Sequence, residues 1–340
     1  MSTIGDLDLR VPEPLRPGDT IGIVSPSFGG VGTWPHRAEA ATAYLAALGL
    51  KVRFMTNSRR AESWVSTNAK ERVADLHEAF ADPDVRLVLC GIGGDHSNQL
   101  VEHLDYELIG ADPKWFQGYS DITVLHWAFL QRCRVASFHG PTLVPELGEH
   151  PAPLSYTDRW LRAAWFRKEP LDPGAPDEWT DEFLDWDQKA DLARPRTTKP
   201  TDGWSTVRAG RAGGPLLGGC LETIVWHLKG SDEWIEPDGT IFFLETSEEA
   251  PSLGHVDAYL TDLGRLGIFG RISGLMFGRP YGYDSEQNGG LLQLLRKHTE
   301  AHEVPVLGNV DLGHTDPMLT LPLGVPARLD AGAPSLEIDL

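Results

Sequence analysis

The chain has 340 residues, beyond the roughly 100 to 200 of an ordinary single domain, so two domains are expected, and its 41% hydrophobic fraction is ample for their cores. With 49 acidic against 30 basic residues the formal charge is -19, and without any Lys/Arg cluster this excludes a nucleic-acid backbone as partner. Cys90, Cys133 and Cys220 lack CxxC spacing, no basic segment precedes an apolar run at the N-terminus, and no stretch approaches about 18 apolar residues; a reduced cytoplasmic protein with no membrane partner is expected.

In chain order, residues 20–24 read as a short apolar strand ending in Ser25-Pro26-Ser27, and 36–48 carry the Ala/Leu spacing of a helix closed by Gly49. A strand at 51–55, a helix at 69–80 and the almost continuously apolar strand 85–90 follow, the last of a kind buried on both faces of a parallel sheet. Residues 115–118 as strand, 122–131 as helix and 135–138 as strand complete the alternation. It predicts an N-terminal α/β domain over 1–147 built on a doubly wound parallel sheet.

Residues 148–214 are rich in Pro, Asp, Trp and Arg without a strong period, and read as a long loop or lid linker. Trp179, Trp186 and Trp204 predict that it is ordered, because disordered segments are poor in aromatics. Residues 215–340 predict a smaller C-terminal α/β domain rich in short strands. A helix at 221–228, strand 241–245, helix 256–266, strand 272–277 and Gly/Pro-punctuated strands from Val306 onward make it up.

Ser120 sits where strand 115–118 meets a helix, with Gly118 two positions earlier relieving the crowding of a sharp turn, as in a nucleophile elbow. Ile122 stands where the last glycine of G-x-S-x-G would be, and a Ser before a helix is also an ordinary cap. The backbone NH of Asp121 can face a developing oxyanion, and the turn Gly91-Ile92-Gly93-Gly94 suits the second oxyanion donor, a phosphate cradle or a plain tight turn. Glu245 ends the apolar strand 241–245, better placed than Glu248 and Glu249, which read as solvated; a surface acidic turn is the alternative. His314, between Gly313 and a turn, is the histidine best set to act as general base. His126 lies within a helix, and His139 and His255 lack so turn-rich a setting. No HExxH or other ligand spacing is present, so neither metal nor cofactor is expected.

Several segments together resemble the LD-carboxypeptidase family of serine peptidases, and within it the microcin C immunity branch. They are Leu15-Arg16-Pro17-Gly18-Asp19, Ile92-Gly93-Gly94 with Ser97-Asn98, Gly118-Tyr119-Ser120-Asp121-Ile122-Thr123, Phe138-His139-Gly140-Pro141, Leu244-Glu245-Thr246-Ser247-Glu248, and the run from Gly308 to Pro317. The resemblance implies a Ser/Glu/His triad of Ser120, Glu245 and His314, with an oxyanion hole from Asp121 and Gly93 or Gly94 and a groove between two domains. It further implies a homodimer, and a small aminoacyl-nucleotide or peptide as substrate, with Trp186, Ser97 and Asn98 on the binding side. In the immunity branch the bond cut is the amide or phosphoramidate link of an aminoacyl nucleotide. The expected alternatives are removal of the terminal D-Ala of a murein tetrapeptide, or nucleotide binding without catalysis.

Overall fold

A computed structural model describes residues 4–6, 8–167 and 171–340; Met1, Ser2 and Thr3, Leu7, and residues 168–170 of the expected linker lie outside the described residues. The predicted alternation is present. Strands β1 (Thr20–Val24), β2 (Lys51–Phe54), β3 (Val85–Cys90), β4 (Trp115–Gly118) and β5 (Ser137–His139) form a parallel sheet in the order β5-β4-β3-β1-β2. Helices Pro35–Ala47 and Ala69–Ala81 cross between strands; the second starts where the Asn68 side chain accepts the Glu71 amide at 3.1 Å, satisfying an otherwise orphaned helix-end NH. In this strand order the connections leave β1 and β3 in opposite directions. A crevice therefore opens beyond their carboxyl ends, where α/β sheets bind ligands.

The expected lid is more structured than its sequence suggested. Helix Ser155–Phe166 buries Thr157, Trp160, Leu161, Ala164 and Trp165, a helical period that the prolines on either side obscured. Short strands β6 (Glu178–Trp179) and β7 (Lys199–Pro200) pair antiparallel, and β8 (Ser205–Arg208) already belongs to a second sheet. That sheet adds β9 (Arg211–Cys220), β10 (Ile241–Glu245), β11 (Gly274–Gly278) and β12 (Val306–Val310). After β13 (Leu321–Leu323), strands β14 (Pro326–Asp330) and β15 (Ser335–Ile338) close its other edge, giving the order β15-β14-β9-β10-β11-β12-β8.

The glycine-rich run 213–219 lies within the ten-residue strand β9. A side chain at Gly219 would collide with Thr123 on the helix Thr123–Ala128, so these glycines let the second sheet approach that helix closely. Thr123 Oγ1 accepts the Cys220 amide at 3.1 Å and the Trp127 indole donates to Gly218 O at 2.9 Å, fixing the approach. The helix Ser285–Thr299 was not foreseen; its Asp284/Gln287 capping box was present, but Asn288-Gly289-Gly290 interrupts the pattern. Strand β13 pairs antiparallel with β5 of the first sheet, so the C-terminal part of the chain completes the N-terminal sheet.

Candidate active site

Ser120 follows β4 at the start of the 3-10 turn Ser120–Ile122, with φ +62°, a left-handed conformation that costs a non-glycine residue about 1–2 kcal/mol. Such strain holds a side chain out of its regular path, as a nucleophile elbow does. The missing last glycine has a physical reason: a Cβ at Gly118 would stand 2.8 Å from Ile122 Cγ2, so the fully buried Ile122 packs over Gly118 from within the same turn. Beneath, His126 Nε2–H donates to Gly118 O at 2.9 Å while its Nδ1 accepts from Ser137 Oγ at 2.8 Å. Burial lowers the pKa of this imidazole to about 4, so it braces the strand end as a neutral ring.

Glu245 is the last residue of β10, fully buried, and His314 lies in the loop after β12. That loop is closed by Leu319 N donating to Asp311 O at 2.8 Å, while the Asp311 carboxylate receives the Trp204 indole at 2.7 Å and Arg279 at 3.2 Å. The three elements converge: His314 Nδ1 is 2.7 Å from Glu245 Oε2, and His314 Nε2 is 3.0 Å from Ser120 Oγ. The Tyr119 ring, 4.9 Å from the imidazole, covers its flank. The amides of Asp121, Gly93 and Gly94 donate to no other group among the described residues, and a Cβ at Gly93 would lie 3.0 Å from Ser120 Cβ, so this turn abuts the serine.

Glu248, read from sequence as a solvated carboxylate, is 64% exposed, yet its Oε2 is 3.0 Å from His314 Nε2, the nitrogen that also meets Ser120. Burial opposes a charge on His314, but Glu245 and Glu248 together outweigh it and hold its pKa well above the ordinary value. The attraction of His314 in turn keeps the Glu248 carboxyl below its usual range. No local pattern in the sequence could have found this contact, because it depends on where the turn after β10 folds back.

A cavity of about 500 Å³ opens over Ser120 and His314, within the usual range for small-molecule sites. Phe28, Trp34, Trp64, Phe183, Trp186 and Tyr281 supply its aromatic wall. Trp186 packs edge-on to Trp34 with centroids 4.9 Å apart and lies under the Arg37 guanidinium at 4.3 Å, so it both lines the cavity and anchors its own segment to the N-terminal part of the chain. Trp64 and Phe183 are 68% and 57% exposed and leave open ring surface at the mouth. Ser97 and Asn98 are not in the wall. Ser97 is buried and spends its hydroxyl on Asp121 O at 2.8 Å, while its amide and that of His96 bond the Asp121 carboxylate, and Asn98 meets His227 at 3.1 Å. The segment carrying Thr180 and Arg196 is tied to the His314 loop by the reciprocal Thr180–Asp316 backbone bonds and by Arg196, which pairs with Asp316 at 2.8 Å and Glu149 at 3.2 Å.

A hydroxyl on a strained turn, an imidazole and a buried carboxylate in line, next to free backbone amides, make the working parts of a serine hydrolase. Comparison with known proteins gives the family. The sequence profile of the LD-carboxypeptidase N-terminal domain matches residues 21–140 and that of the LD-carboxypeptidase C-terminal domain matches residues 213–329. The microcin C7 self-immunity protein MccF of Escherichia coli is 30% identical over 96% of this chain and 94% of its own length. The probable murein peptide carboxypeptidase of Bacillus subtilis is 28% identical over 96% and 94%. Among solved structures, wild-type apo MccF superposes with a TM-score of 0.88 at 30% identity, covering 97% of this chain and 98% of that one. MccF in complex with glutamyl sulfamoyl guanosine gives a TM-score of 0.86 at 29% identity, covering 96% and 97%. The chain belongs to the LD-carboxypeptidase family and is a serine-type carboxypeptidase/amidase hydrolase.

Proposed function

We propose that Ser120, His314 and Glu245 act as nucleophile, base and acid in cleaving the amide or phosphoramidate link of an aminoacyl nucleotide. The observation that carries this reading is that Ser120 and His314, in line with Glu245, open into an aromatic-walled cavity whose planar rings suit a nucleobase. The complex of a structural relative with an aminoacyl sulfamoyl nucleoside supports it.

Glu245 Oε2 accepts the Nδ1–H of His314, which leaves Nε2 toward Ser120. Nε2 takes the hydroxyl proton as Oγ attacks the acyl carbon, and the amides of Asp121 and of Gly93 or Gly94 receive the oxyanion. His314 then returns the proton to the leaving nitrogen. Water, deprotonated by the same imidazole, releases the amino acid from the acyl-enzyme.

A second reading, removal of the terminal D-Ala from a murein tetrapeptide, draws on the Bacillus subtilis relative. It asks for a cation to bind the free carboxylate, and Arg196, the arginine in the cavity wall, is already shared between Asp316 and Glu149. Incubation with an aminoacyl-sulfamoyl adenosine beside L-Ala-D-Glu-meso-diaminopimelate-D-Ala, followed by mass spectrometry, separates the two. Free amino acid from the nucleoside supports the first reading, and loss of D-Ala alone overturns it. Ser120→Ala should lower turnover by about 10³-fold or more, and near-native turnover would refute the triad.

A further inference from the structure

The charge around the reacting serine is unbalanced. Six charged side chains other than His314 line the cavity: Asp95, Glu146, Glu182, Glu248, Asp316 and the single Arg196. Several of the carboxylates are already satisfied. Asp316 pairs with Arg196 at 2.8 Å and Glu182 with Arg194 at 2.6 Å. Glu146 is buried, accepts from Tyr119 Oη at 2.8 Å and from the Thr142 amide at 2.6 Å, and has its pKa raised to about 7 by that burial and then by Asp316. Two carboxylates remain: Asp95, and Glu248, whose ion pair is with the catalytic imidazole itself.

Asp95 is exposed to the cavity and has no cationic or hydrogen-bonding side-chain partner among the described residues. Its pKa is raised by partial burial, then by Asp121; His96 and His227 oppose this weakly and Glu248 adds a further repulsion, so the two carboxylates sense each other across the cavity. Glu248 has His314 for a partner, but His314 is already held by Glu245 at 2.7 Å, so one imidazolium faces two anions. Moreover, the Glu248 contact uses Nε2, which must be free of its proton to act on Ser120. The site therefore holds more carboxylates than cations, and its base is engaged by a carboxylate that is free to turn toward the cavity.

We propose that the acyl end of the site selects an aminoacyl group with a cationic side chain, lysyl, ornithyl or arginyl, whose two positive charges engage Glu248 and Asp95. The α-ammonium common to all aminoacyl nucleotides answers one of these carboxylates, and the side-chain cation answers the other. Engagement of Glu248 by the substrate also draws it off His314 Nε2, so binding of the preferred substrate frees the base. An acidic side chain meets repulsion instead. The proposal rests on the aminoacyl-nucleotide reading and names its substrate class.

The test compares lysyl-, norleucyl- and glutamyl-sulfamoyl adenosine on the full chain; norleucine matches lysine in length without its charge. The expected kcat/KM order is lysyl, norleucyl, glutamyl, with lysyl ahead of norleucyl by about tenfold or more, the range of an interaction between charges that stay partly solvated. Glu248→Gln and Asp95→Asn should each shrink the lysyl-over-norleucyl ratio, and Glu248→Lys should move the preference toward glutamyl, with thermal melts confirming that each variant folds. Equal or better hydrolysis of norleucyl or glutamyl compounds by the unaltered chain overturns the cation preference while leaving the aminoacyl-nucleotide reading intact. If none of the three is cleaved and the murein tetrapeptide is, both readings fall together.

Discussion

Gly313→Ala attacks the proposed triad without removing any of its functional groups. Gly313 has φ +90°, and a Cβ there would stand 2.7 Å from Glu245 Cβ and 2.8 Å from its Cδ. Glu245 is fully buried at the end of β10, so its carboxylate has no solvent to swing into and must shift against His314. Backbone strain contributes about 1–2 kcal/mol, and overpacking adds about 1–3 kcal/mol, so a stability loss of roughly 2–5 kcal/mol is expected. The activity loss follows from geometry. A misplacement of about 1 Å costs around 10²-fold, and complete loss of a triad carboxylate's function costs around 10⁴-fold, so kcat should fall by a factor between these limits. Gly267→Ala is the control: its φ is +74°, but its Cβ would meet nothing nearer than Arg271 Cδ at 3.9 Å, so it carries the backbone strain alone. Steady-state kinetics on whichever substrate the unaltered chain turns over, with a denaturant melt of each variant, decides the matter. If Gly313→Ala retained a kcat within about tenfold of Gly267→Ala, short of the roughly 10²-fold cost of a 1 Å misplacement, Glu245 would not be orienting the base.

Three further outcomes are expected. Because Glu245 and Glu248 hold His314 well above its ordinary pKa, the base form is lost on acidification from a higher pH than usual; the acid limb of kcat/KM should lie above about 6.5. A limb at or below pH 6 would count against His314 as the base. His126 titrates near 4 when folded and near 6.5 when unfolded, so its contribution is complete above pH 6.5 and lost as pH falls toward 4, by about 3 kcal/mol in all. Unfolding of the chain and of His126→Gln over that range should show a stability difference that narrows on acidification; a constant difference would refute it. Arg37, 1% exposed, donates to Val144 O and Pro145 O and pairs with Asp191 at 2.8 Å and Glu149 at 3.1 Å. Arg37→Ala takes the shared cation from two buried carboxylates, leaving Glu149 to Arg196 and Asp191 to His36, and releases Trp186; it should cost about 3–5 kcal/mol and raise KM, and an unchanged melt would show that the Trp186 segment is held by other contacts.

Local pattern determined a good deal. Strands β1, β3, β4 and β10 lie where their apolar runs placed them, because a strand buried on both faces needs no partner to be recognised from its composition. Ser120, Glu245 and His314 could be singled out because each stands at an element end or in a glycine-rich turn, and such ends are visible in sequence. The helix Ser155–Phe166 had its period but was masked by prolines, and Ser285–Thr299 was masked by a Gly-Gly pair, since breakers outweigh periodicity in a local reading.

What only the tertiary structure decided are contacts between segments far apart in the chain: 194 residues separate Ser120 from His314, and 69 separate Glu245 from His314. Ser97 turned inward to Asp121, Trp186 acquired Arg37 and Trp34 as neighbours, and Glu248 came to rest on the imidazole, none of which any local period encodes. The physical reason is that propensity and hydrophobic pattern act over a turn or a strand, whereas the charge state of a site is set by whichever groups packing brings within a few ångströms.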